Sequence, residues 1–289
     1  MSGGAERRSA MHGKLIFLDI DGTLTLPGQN VPPDSALRAI REAQAGGHRV
    51  FLCTGRNCDM LRPLLRYGFD GAVASSGGYV FLGDRVLYDC PMTEEQKDLA
   101  LRLFAENGVL RTIEAKDASY CDAGMGEFLR SASGGNSELL RWREALEKEL
   151  GIRPMREYDG RPIYKMEFMC ERAEQLAPAR RALEEEFRFL MPDTPEPGYL
   201  NGELVNRRFD KGRGIRRVCE ALGVAPEDTI GFGDSVNDLE MIETVGVGVC
   251  MADGSPTLKK KSDLVCPPVA EDGIARAFEK LGLTGRKLE

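Results

Sequence analysis

The chain has 289 residues, of which 42% are hydrophobic and 29% are charged, and its formal net charge is -7 at pH 7. This length allows one large domain or two of ordinary size, with a core that needs no disulfide staples. The acidic balance argues against a nucleic-acid partner and against docking on an anionic membrane, so neither is expected.

The first residues and the cysteines indicate the expected compartment. Residues 1–12 are small, polar and charged, which predicts a disordered tail. The apolar run Leu15–Leu18 is too short for the core of a signal peptide. The eight cysteines are irregularly spaced and include no Cys-x-x-Cys pair, which favours buried, reduced thiols over a disulfide framework or a zinc site. These features predict a cytoplasmic protein.

The first part of the chain alternates predicted strands with predicted helices. Asp34 is placed to cap the first helix, and Gly46 to end it. The strands are apolar throughout, as in buried parallel sheets. They lie at 14–20, 48–53 and 71–74, with helices at 34–45 and 57–67.

A different pattern covers residues 90–204. A hairpin around Gly83-Asp84 leads into it, with strands at 79–82 and 86–88. Residues 162–170 alternate between apolar and charged side chains, which predicts an antiparallel strand with one open face. Helices are predicted at 93–107, 137–150 and 173–187. We therefore predict an inserted α+β cap domain over 90–204.

The strand and helix alternation returns after residue 204. Strands are predicted at 228–232 and 245–250, and helices at 211–222, 235–244, 256–261 and 272–281. The predicted fold class is α/β: a Rossmann-like, doubly wound parallel-sheet core built from residues 13–89 and 205–289.

Two carboxylates follow the first predicted strand, in the motif Asp19-Ile-Asp21-Gly-Thr. In extended chain, residues two apart face the same side, so both acids point to one spot beyond the carboxyl end of the strand. Ligands of open α/β sheets bind at this edge. A lone Asp-x-Asp is more often a solvated loop in which the second acid caps a turn, but its place after a buried strand makes this motif more specific.

Two further segments place phosphate-binding groups at element ends. Thr54 and Gly55 follow the second predicted strand, where a hydroxyl can donate to a phosphoryl oxygen and glycine permits close approach. A helix cap is the alternative there. Lys211 opens a predicted helix after Asp210, where the helix dipole favours anions. A bound anion would explain this lysine, and a surface lysine is the alternative.

The segment Gly233-Asp234-Ser-Val-Asn237-Asp238 connects a predicted strand to a helix. Its two aspartates lie four residues apart, near enough to serve one cation. Capping of the helix and compensation of its dipole are alternative roles, compatible with metal binding. A ligand set made only of oxygens favours Mg2+ over zinc or copper.

As an ordered set, these segments resemble the four motifs of the haloacid dehalogenase-like (HAD) superfamily. The resemblance covers residues 14–281 and is best to the Cof-type phosphatases, whose cap lies between the second and third motifs. Ser75-Ser76-Gly-Gly before the hairpin also resembles that group, although Ser76 takes the place of a usual asparagine. Asp210 is a second departure, since small residues are commoner before the lysine.

The resemblance implies a phosphatase that works through an aspartyl-phosphate. Asp19 would attack phosphorus as a carboxylate already ionised near neutrality. Asp21 would protonate the leaving oxygen and then deprotonate the attacking water. Thr54, Gly55 and Lys211 would bind the transferred phosphoryl group.

The resemblance also implies Mg2+ as the cofactor. The ion would be held by Asp19, the backbone carbonyl of Asp21, and Asp234. Asn237 and Asp238 would support this shell directly or through water.

Three functions remain open from the sequence. The first is hydrolysis of a small phosphorylated metabolite, such as a sugar phosphate, nucleotide or phosphorylated cofactor. The second is a phosphomutase, whose cap would need cations for a second phosphate, such as Lys165, Arg161 and Arg130. The third is a non-catalytic phosphometabolite-binding protein, which the full set of motif carboxylates disfavours.

The substrate is expected to be selected by the cap. Lys165 and Glu167 on the alternating strand are expected to face the cleft, although a solvated sheet face is an equal alternative. The loop at 124–136, rich in glycine and serine, is a further candidate. The sequence does not indicate the oligomeric state.

Overall fold

A computed structural model describes residues 13–125, 152–191 and 198–285 of the chain. Its strands are β1 (Leu15–Leu18), β2 (Arg49–Cys53), β3 (Gly71–Ala74), β4 (Tyr79–Leu82), β5 (Arg85–Asp89), β6 (Leu110–Ala115), β7 (Ser119–Cys121), β8 (Ile152–Pro154), β9 (Ile163–Cys170), β10 (Phe187–Leu190), β11 (Leu200–Asn206), β12 (Thr229–Gly233), β13 (Val247–Met251) and β14 (Leu264–Cys266). Its α-helices are α1 (Asp34–Ala45), α2 (Cys58–Leu65), α3 (Glu94–Glu106), α4 (Ala173–Leu183), α5 (Lys211–Leu222), α6 (Leu239–Ile242), α7 (Pro256–Lys261) and α8 (Gly273–Lys280). Within the described ranges, none of these helices has the length and apolar character needed to cross a bilayer.

The first sheet has the strand order β14-β13-β12-β1-β2-β3-β4-β5. The strands from β14 to β3 run parallel, and the β4–β5 hairpin adds an antiparallel edge. Strand β1 lies at the centre, between β12 and β2. The loops that follow these three strands therefore meet at one edge of the sheet.

Alternate residues of β1 pack into different apolar layers. Ile16 and Leu18 belong to a buried cluster that includes Phe278 of α8 and residues of α1. Phe17 belongs to a second cluster, which includes Ile215 of α5. Helices therefore cover both faces of the sheet, and the predicted doubly wound α/β fold class is confirmed.

The second sheet has the strand order β10-β11-β9-β6-β7-β8 and is antiparallel except for the β7–β8 pair. Helices α3 and α4 cover one face, through a cluster that includes Phe104, Phe168 and Leu176. Lys165 and Glu167 lie on β9, whose eight residues are all buried. The prediction of an open face on this strand is wrong, because that face lies against a loop of the first sheet.

Several element boundaries differ from the sequence prediction. The helix predicted at 173–187 ends at Leu183, and the one predicted at 235–244 is a 3-10 turn followed by the short α6. Pro33, and not Asp34, takes the N-cap position of α1; Asp34 becomes the first helical residue, where its charge favours the helix dipole. The second sheet reaches Asn206, beyond the predicted end of the cap at 204.

Some predictions fall on residues that the structure does not describe. The tail at 1–12, the helix at 137–150, Arg130 and most of the loop at 124–136 lie outside the described residues. The cysteines all lie within them: each is free, and only Cys58 and Cys121 are less than fully buried. The prediction that most of the thiols are buried is confirmed.

Candidate active site

Three carboxylates from two strand ends meet at the edge of the first sheet. Asp19 directly follows β1, whereas Asp234 and Asp238 follow β12. One carboxylate oxygen of each residue lies within 4.8 Å of the others, and all three residues are buried. A compact set of oxygen ligands fits a hard divalent cation, so these residues are able to hold a metal ion of that kind.

Lys211 joins these carboxylates from the first turn of α5. Its Nζ donates hydrogen bonds to Asp19 Oδ1 at 2.7 Å, to Asp238 Oδ1 at 2.5 Å and to Asn237 Oδ1 at 3.1 Å. The side chain is completely buried, so the alternative of a surface lysine is wrong. Burial acts to lower the pKa of Lys211, but the two carboxylates raise it well above its ordinary value, and the lysine stays a cation.

Burial raises the pKa of Asp19 to about 7, while the ammonium of Lys211 acts in the opposite direction. The nearby Asp238 and Asp21 carboxylates add to the rise. Burial of Asp19 therefore acts against the ionised carboxylate that attack on phosphorus requires. A divalent cation beside it would favour the charged form.

Glycines let the loops after β1 and β12 approach each other. Gly22 has a φ of +82°, and a Cβ at this residue would lie 2.6 Å from Asp234 Oδ2. Asp238 Oδ2 accepts from the backbone N–H groups of Asp234 and Ser235 at 3.0 and 3.1 Å. Asp238 thus fixes the backbone that presents Asp234, and Gly22 leaves room for that carboxylate.

Asp21 is held separately from the three carboxylates, by Arg56. Arg56 Nε donates to Asp21 Oδ2 at 2.7 Å and Nη2 donates to Oδ1 at 2.6 Å, which makes a buried bidentate pair. The N–H of Gly28 donates to the same Oδ1 at 2.8 Å, and Arg56 Nη1 donates to Asn30 at 2.6 Å. The sequence reasoning missed Arg56, although its place beside Gly55 was a usable signal.

An Arg56→Met variant is expected to lose about 3–5 kcal/mol of unfolding free energy, because the buried Asp21 carboxylate loses its bidentate guanidinium partner. Urea unfolding measures this loss. Arg62→Met on α2 is the matched control, since the side chain of Arg62 is 72% exposed. Adding Asp21→Asn to Arg56→Met is expected to restore part of the stability. Equal stability of the Arg56 and Arg62 variants would contradict this account.

The loop after β2 is fixed by the loop after β3. The N–H of Ser76 donates to the carbonyl of Thr54, and the N–H of Ser75 donates to that of Arg56, both at 2.9 Å. Ser75 and Ser76 have φ values of +48° and +56°, a region in which residues other than glycine are strained. Thr54 Oγ1 accepts from the N–H of Arg56 at 3.1 Å, which leaves its own hydroxyl hydrogen for another acceptor.

The second sheet docks on this same loop. Asn57 Nδ2 donates to the carbonyl of Ala118 at 3.2 Å and to Ser119 Oγ at 3.0 Å. The N–H of Cys58 donates to the carbonyl of Lys116 at 3.0 Å. The Nζ of Lys116 lies 4.2 Å from the ring centroid of Tyr79. Part of the second sheet therefore contacts the loop that carries Thr54 and Gly55.

Residues 16–278 match the family model of the haloacid dehalogenase-like hydrolases. YkrA of Bacillus subtilis (strain 168) is 31% identical over 276 residues, covering 94% of this chain and 99% of that protein. The phosphoglycolate phosphatase of Methanosarcina acetivorans is 34% identical over 279 residues, covering 95% of this chain and 99% of that protein. The solved structure of the HAD subclass IIB sugar phosphatase BT4131 has a TM-score of 0.74 at 22% identity, covering 93% of this chain and 99% of that one.

The fold, the carboxylate site and these matches place the chain in the haloacid dehalogenase-like hydrolase family, to which it belongs over almost its whole length. Within the family it is a Cof-type phosphatase, an enzyme that hydrolyses phosphoric monoesters. The family resemblance read from the four motifs is confirmed.

Proposed function

We propose that this protein hydrolyses a small phosphomonoester with the help of Mg2+, through an aspartyl-phosphate formed on Asp19. The observation that carries the proposal is the convergence of Asp19, Asp234 and Asp238 within 4.8 Å of one another. Lys211, 2.7 Å from Asp19, supplies a fixed positive charge beside them. A sugar phosphate, a nucleotide or a phosphorylated cofactor is the expected substrate class.

Asp19 and the side chains around it each have a separate role in the proposed reaction. Asp19 attacks phosphorus, while Lys211 and the hydroxyl of Thr54 offset charge on the transferred phosphoryl oxygens. Gly55 lets the backbone approach these oxygens. Asp21 donates a proton to the leaving oxygen and then accepts one from the water that attacks the intermediate. Because Asp21 is paired with Arg56, its carboxylate has to release that partner and bind a proton from solvent before it can protonate the leaving oxygen.

Mg2+ would be held by Asp19, the backbone carbonyl of Asp21, and Asp234. When bound, it would neutralise charge on the phosphoryl group. Asn237 and Asp238 support this arrangement, since both accept hydrogen bonds from Lys211. The buried carboxyl oxygens at this edge fit such an ion.

The division of the chain supports the same proposal. We assign residues 13–89 and 205–289 to a catalytic core and residues 90–204 to a cap that selects the substrate. The chain passes from the cap back to the core near Asn206, where the last strand of the second sheet ends. The free cysteines support a cytoplasmic location. Small phosphorylated metabolites, and neither nucleic acid nor membrane, are the proposed partners.

Phosphate release from a panel of phosphorylated metabolites, with Mg2+ or with excess EDTA, tests the proposed function. We expect turnover of at least one substrate that depends on the metal. Rapid acid quenching with a 32P-labelled substrate is expected to trap a label on the protein, which hydroxylamine removes as it does from an acyl phosphate. Turnover in EDTA at the Mg2+ rate would exclude the metal-dependent mechanism.

The phosphomutase alternative finds little support in the described part of the cap. Lys165 Nζ lies within 3.4 Å of the carboxylates of Glu114, Glu167 and Glu203. Arg161 is paired with Asp159 at 2.6 Å, which leaves neither cation placed to hold a second phosphate. We therefore favour hydrolysis over isomerisation of a bisphosphate.

Mg2+ affinity is expected to depend on pH because the ion competes with a proton on Asp19. The pKa of this group is raised to about 7, so the carboxylate predominates above that pH and the carboxylic acid below it. The dissociation constant is expected to rise roughly tenfold per pH unit below this point and to level off above it. Calorimetric titration of the full chain with Mg2+ from about pH 5.5 to 8.5 measures the effect.

Asp19→Asn provides the control for this pH dependence. Its amide does not titrate, so binding is expected to be weaker but nearly flat over the same range. A wild-type dissociation constant that stays constant between about pH 5.5 and 8.5 would contradict the competition.

A further inference from the structure

A buried turn of four residues, 75–78, connects β3 to β4 and has no direct part in the proposed reaction. We call this segment the Ser–Gly turn. Its first three residues, Ser75, Ser76 and Gly77, have φ values of +48°, +56° and +97°. Residues other than glycine are strained in this region and keep it only where the surrounding structure fixes them. Contacts with neighbouring elements therefore hold the turn in this conformation.

On one side, the Ser–Gly turn supports the loop proposed to bind phosphate. The N–H groups of Ser75 and Ser76 donate to the carbonyls of Arg56 and Thr54, the two residues that flank Gly55. The hydroxyl oxygens of both serines have no hydrogen-bond partner among the described residues, so the turn acts here through its backbone. The position of Thr54 therefore depends on the position of the turn.

On the other side, the Ser–Gly turn contacts the start of α5. A Cβ placed on Gly77 would lie only 2.2 Å from the backbone oxygen of Asp210, which is the N-cap residue of this helix. The same oxygen accepts the hydrogen bond of the Gly214 N–H at 3.0 Å, in the first turn of the helix. Gly77 therefore packs directly against the backbone that leads into Lys211.

The start of α5 has little room to move away from the Ser–Gly turn. A Cβ on Gly212 would lie 2.3 Å from the carbonyl oxygen of Glu240 in α6, and a Cβ on Gly214 would lie 2.4 Å from Val73 Cγ1 in β3. Interiors that are packed this closely transmit a displacement instead of absorbing it. An atom added between the turn and α5 therefore has to shift one of them.

We propose that the Ser–Gly turn is a positioning element that sets the distance between the hydroxyl of Thr54 and Nζ of Lys211. Ser75 and Ser76 fix the loop of Thr54 through their N–H groups, and Gly77 fixes the helix of Lys211 by close packing. The inference rests on the proposed function, because these two donors are the groups proposed to contact one transferred phosphoryl group. The turn itself does not have to contact phosphate.

Gly77→Ala tests this role, with Gly83→Ala as the matched control. Alanine strains the backbone at both positions, since their φ values are +97° and +53°, but a Cβ on Gly83 meets no atom within 4 Å. Whichever side of the Gly77 contact yields, the added methyl group moves Thr54 and Lys211 apart.

The expected effect is on the affinity for the phosphoryl group. For Gly77→Ala with Mg2+ and p-nitrophenyl phosphate, kcat/KM is expected to fall roughly 10–100-fold, and the inhibition constant of inorganic phosphate to rise roughly tenfold. Gly83→Ala is expected to keep both values within about twofold of the wild type. An inhibition constant for Gly77→Ala equal to that of Gly83→Ala would overturn the inference.

Mg2+ affinity distinguishes a displaced Lys211 from a general loosening of the site. The ion is proposed to be held by Asp19 and Asp234, at the ends of β1 and β12. Because Lys211 is a cation beside Asp19, moving it away does not weaken Mg2+ binding. Calorimetric titration of Gly77→Ala with Mg2+ in the absence of phosphate is therefore expected to give a dissociation constant equal to or below that of the wild type. Binding of Mg2+ weakened in parallel with phosphate would reject the positioning role.

Gly78→Ala is a second test, which decides the question if Gly77→Ala does not fold. Gly78 has an ordinary φ of -70°, so alanine does not strain the backbone there. Its Cβ would lie 2.9 Å from the ring of Phe209, which is fully buried and precedes Asp210. The inhibition constant of phosphate is expected to rise roughly threefold, a smaller shift in the same direction. A value equal to that of the wild type would reject the assignment.

Turnover by the wild type separates failure of the inference from failure of the proposed function. If the wild type hydrolyses p-nitrophenyl phosphate with Mg2+ and with Asp19, but both alanine variants of the turn bind phosphate as the wild type does, only the inference fails. If the wild type neither hydrolyses a phosphomonoester in that way nor is inhibited by phosphate, the proposed function fails and the inference with it.

Discussion

An Asp19→Asn variant is expected to lose at least roughly 10³-fold in kcat for Mg2+-dependent phosphate release. The amide nitrogen and oxygen are poor nucleophiles, so no acyl phosphate forms. The loss also removes one of the carboxylates that gather within 4.8 Å at the end of β1 and β12. Release of inorganic phosphate under saturating substrate measures kcat, and acid-quenched protein measures the covalent intermediate.

The matched control is Asp84→Asn in the exposed turn between β4 and β5, which changes the same atoms far from the site. Its kcat is expected to equal that of the wild type. Far-UV circular dichroism checks that both variants keep their helices and strands. An Asp19→Asn enzyme that retained more than about a tenth of the wild-type kcat would rule out Asp19 as the nucleophile.

Lys211→Met is expected to reduce both turnover and stability. Turnover should fall roughly 10²–10³-fold, because the phosphoryl oxygens lose a fixed cation. Unfolding free energy should fall by about 3–5 kcal/mol, because Asp19 and Asp238 remain buried without the ammonium that lies 2.7 and 2.5 Å from them. Phosphate release and urea unfolding measure the two effects.

The effect of Mg2+ on the unfolding free energy shows whether Lys211→Met is destabilised by the lost charge or by lost packing. Because a divalent ion would replace the missing positive charge, saturating Mg2+ is expected to restore part of the stability of Lys211→Met, and more than it adds to the wild type. Lys260→Met, on the exposed side of α7, should stay within about 0.5 kcal/mol of the wild type. Equal unfolding free energies for the two lysine variants would contradict the account.

The core fold was predictable because its signals are local. Each parallel strand is a short apolar run, and each except β3 is followed by a helix with its own start and stop residues. Since the order of the strands brings their carboxyl ends to one edge, the meeting of Asp19, Asp234 and Lys211 also followed from the pattern. The capping box at Thr93 and the cap at Asp210 mark helix starts in the same way.

The cap sheet was harder to predict because its pairing is not local. Strand β6 pairs with β9, and Leu110 lies opposite Met169. The residues of either strand do not indicate which other strand it will pair with, because the two are far apart in the chain. The alternation in β9 is the same whether its charged face meets water or another domain. Burial of Lys165 therefore depends on how the two sheets dock, which no window of sequence contains. The same holds for Arg56, whose partner Asp21 is 35 residues away.

The central position of β1 constrains how the chain can fold while it is being synthesised. Leu15 pairs with Arg49 on one side and with Thr229 on the other, so one flank of this wholly apolar strand has no neighbour until residues 229–233 have left the ribosome. Until then the growing chain exposes an unpaired hydrophobic edge, which is prone to intermolecular pairing. Products terminated before residue 229 should therefore aggregate or require chaperones, and they should contain no partially active species.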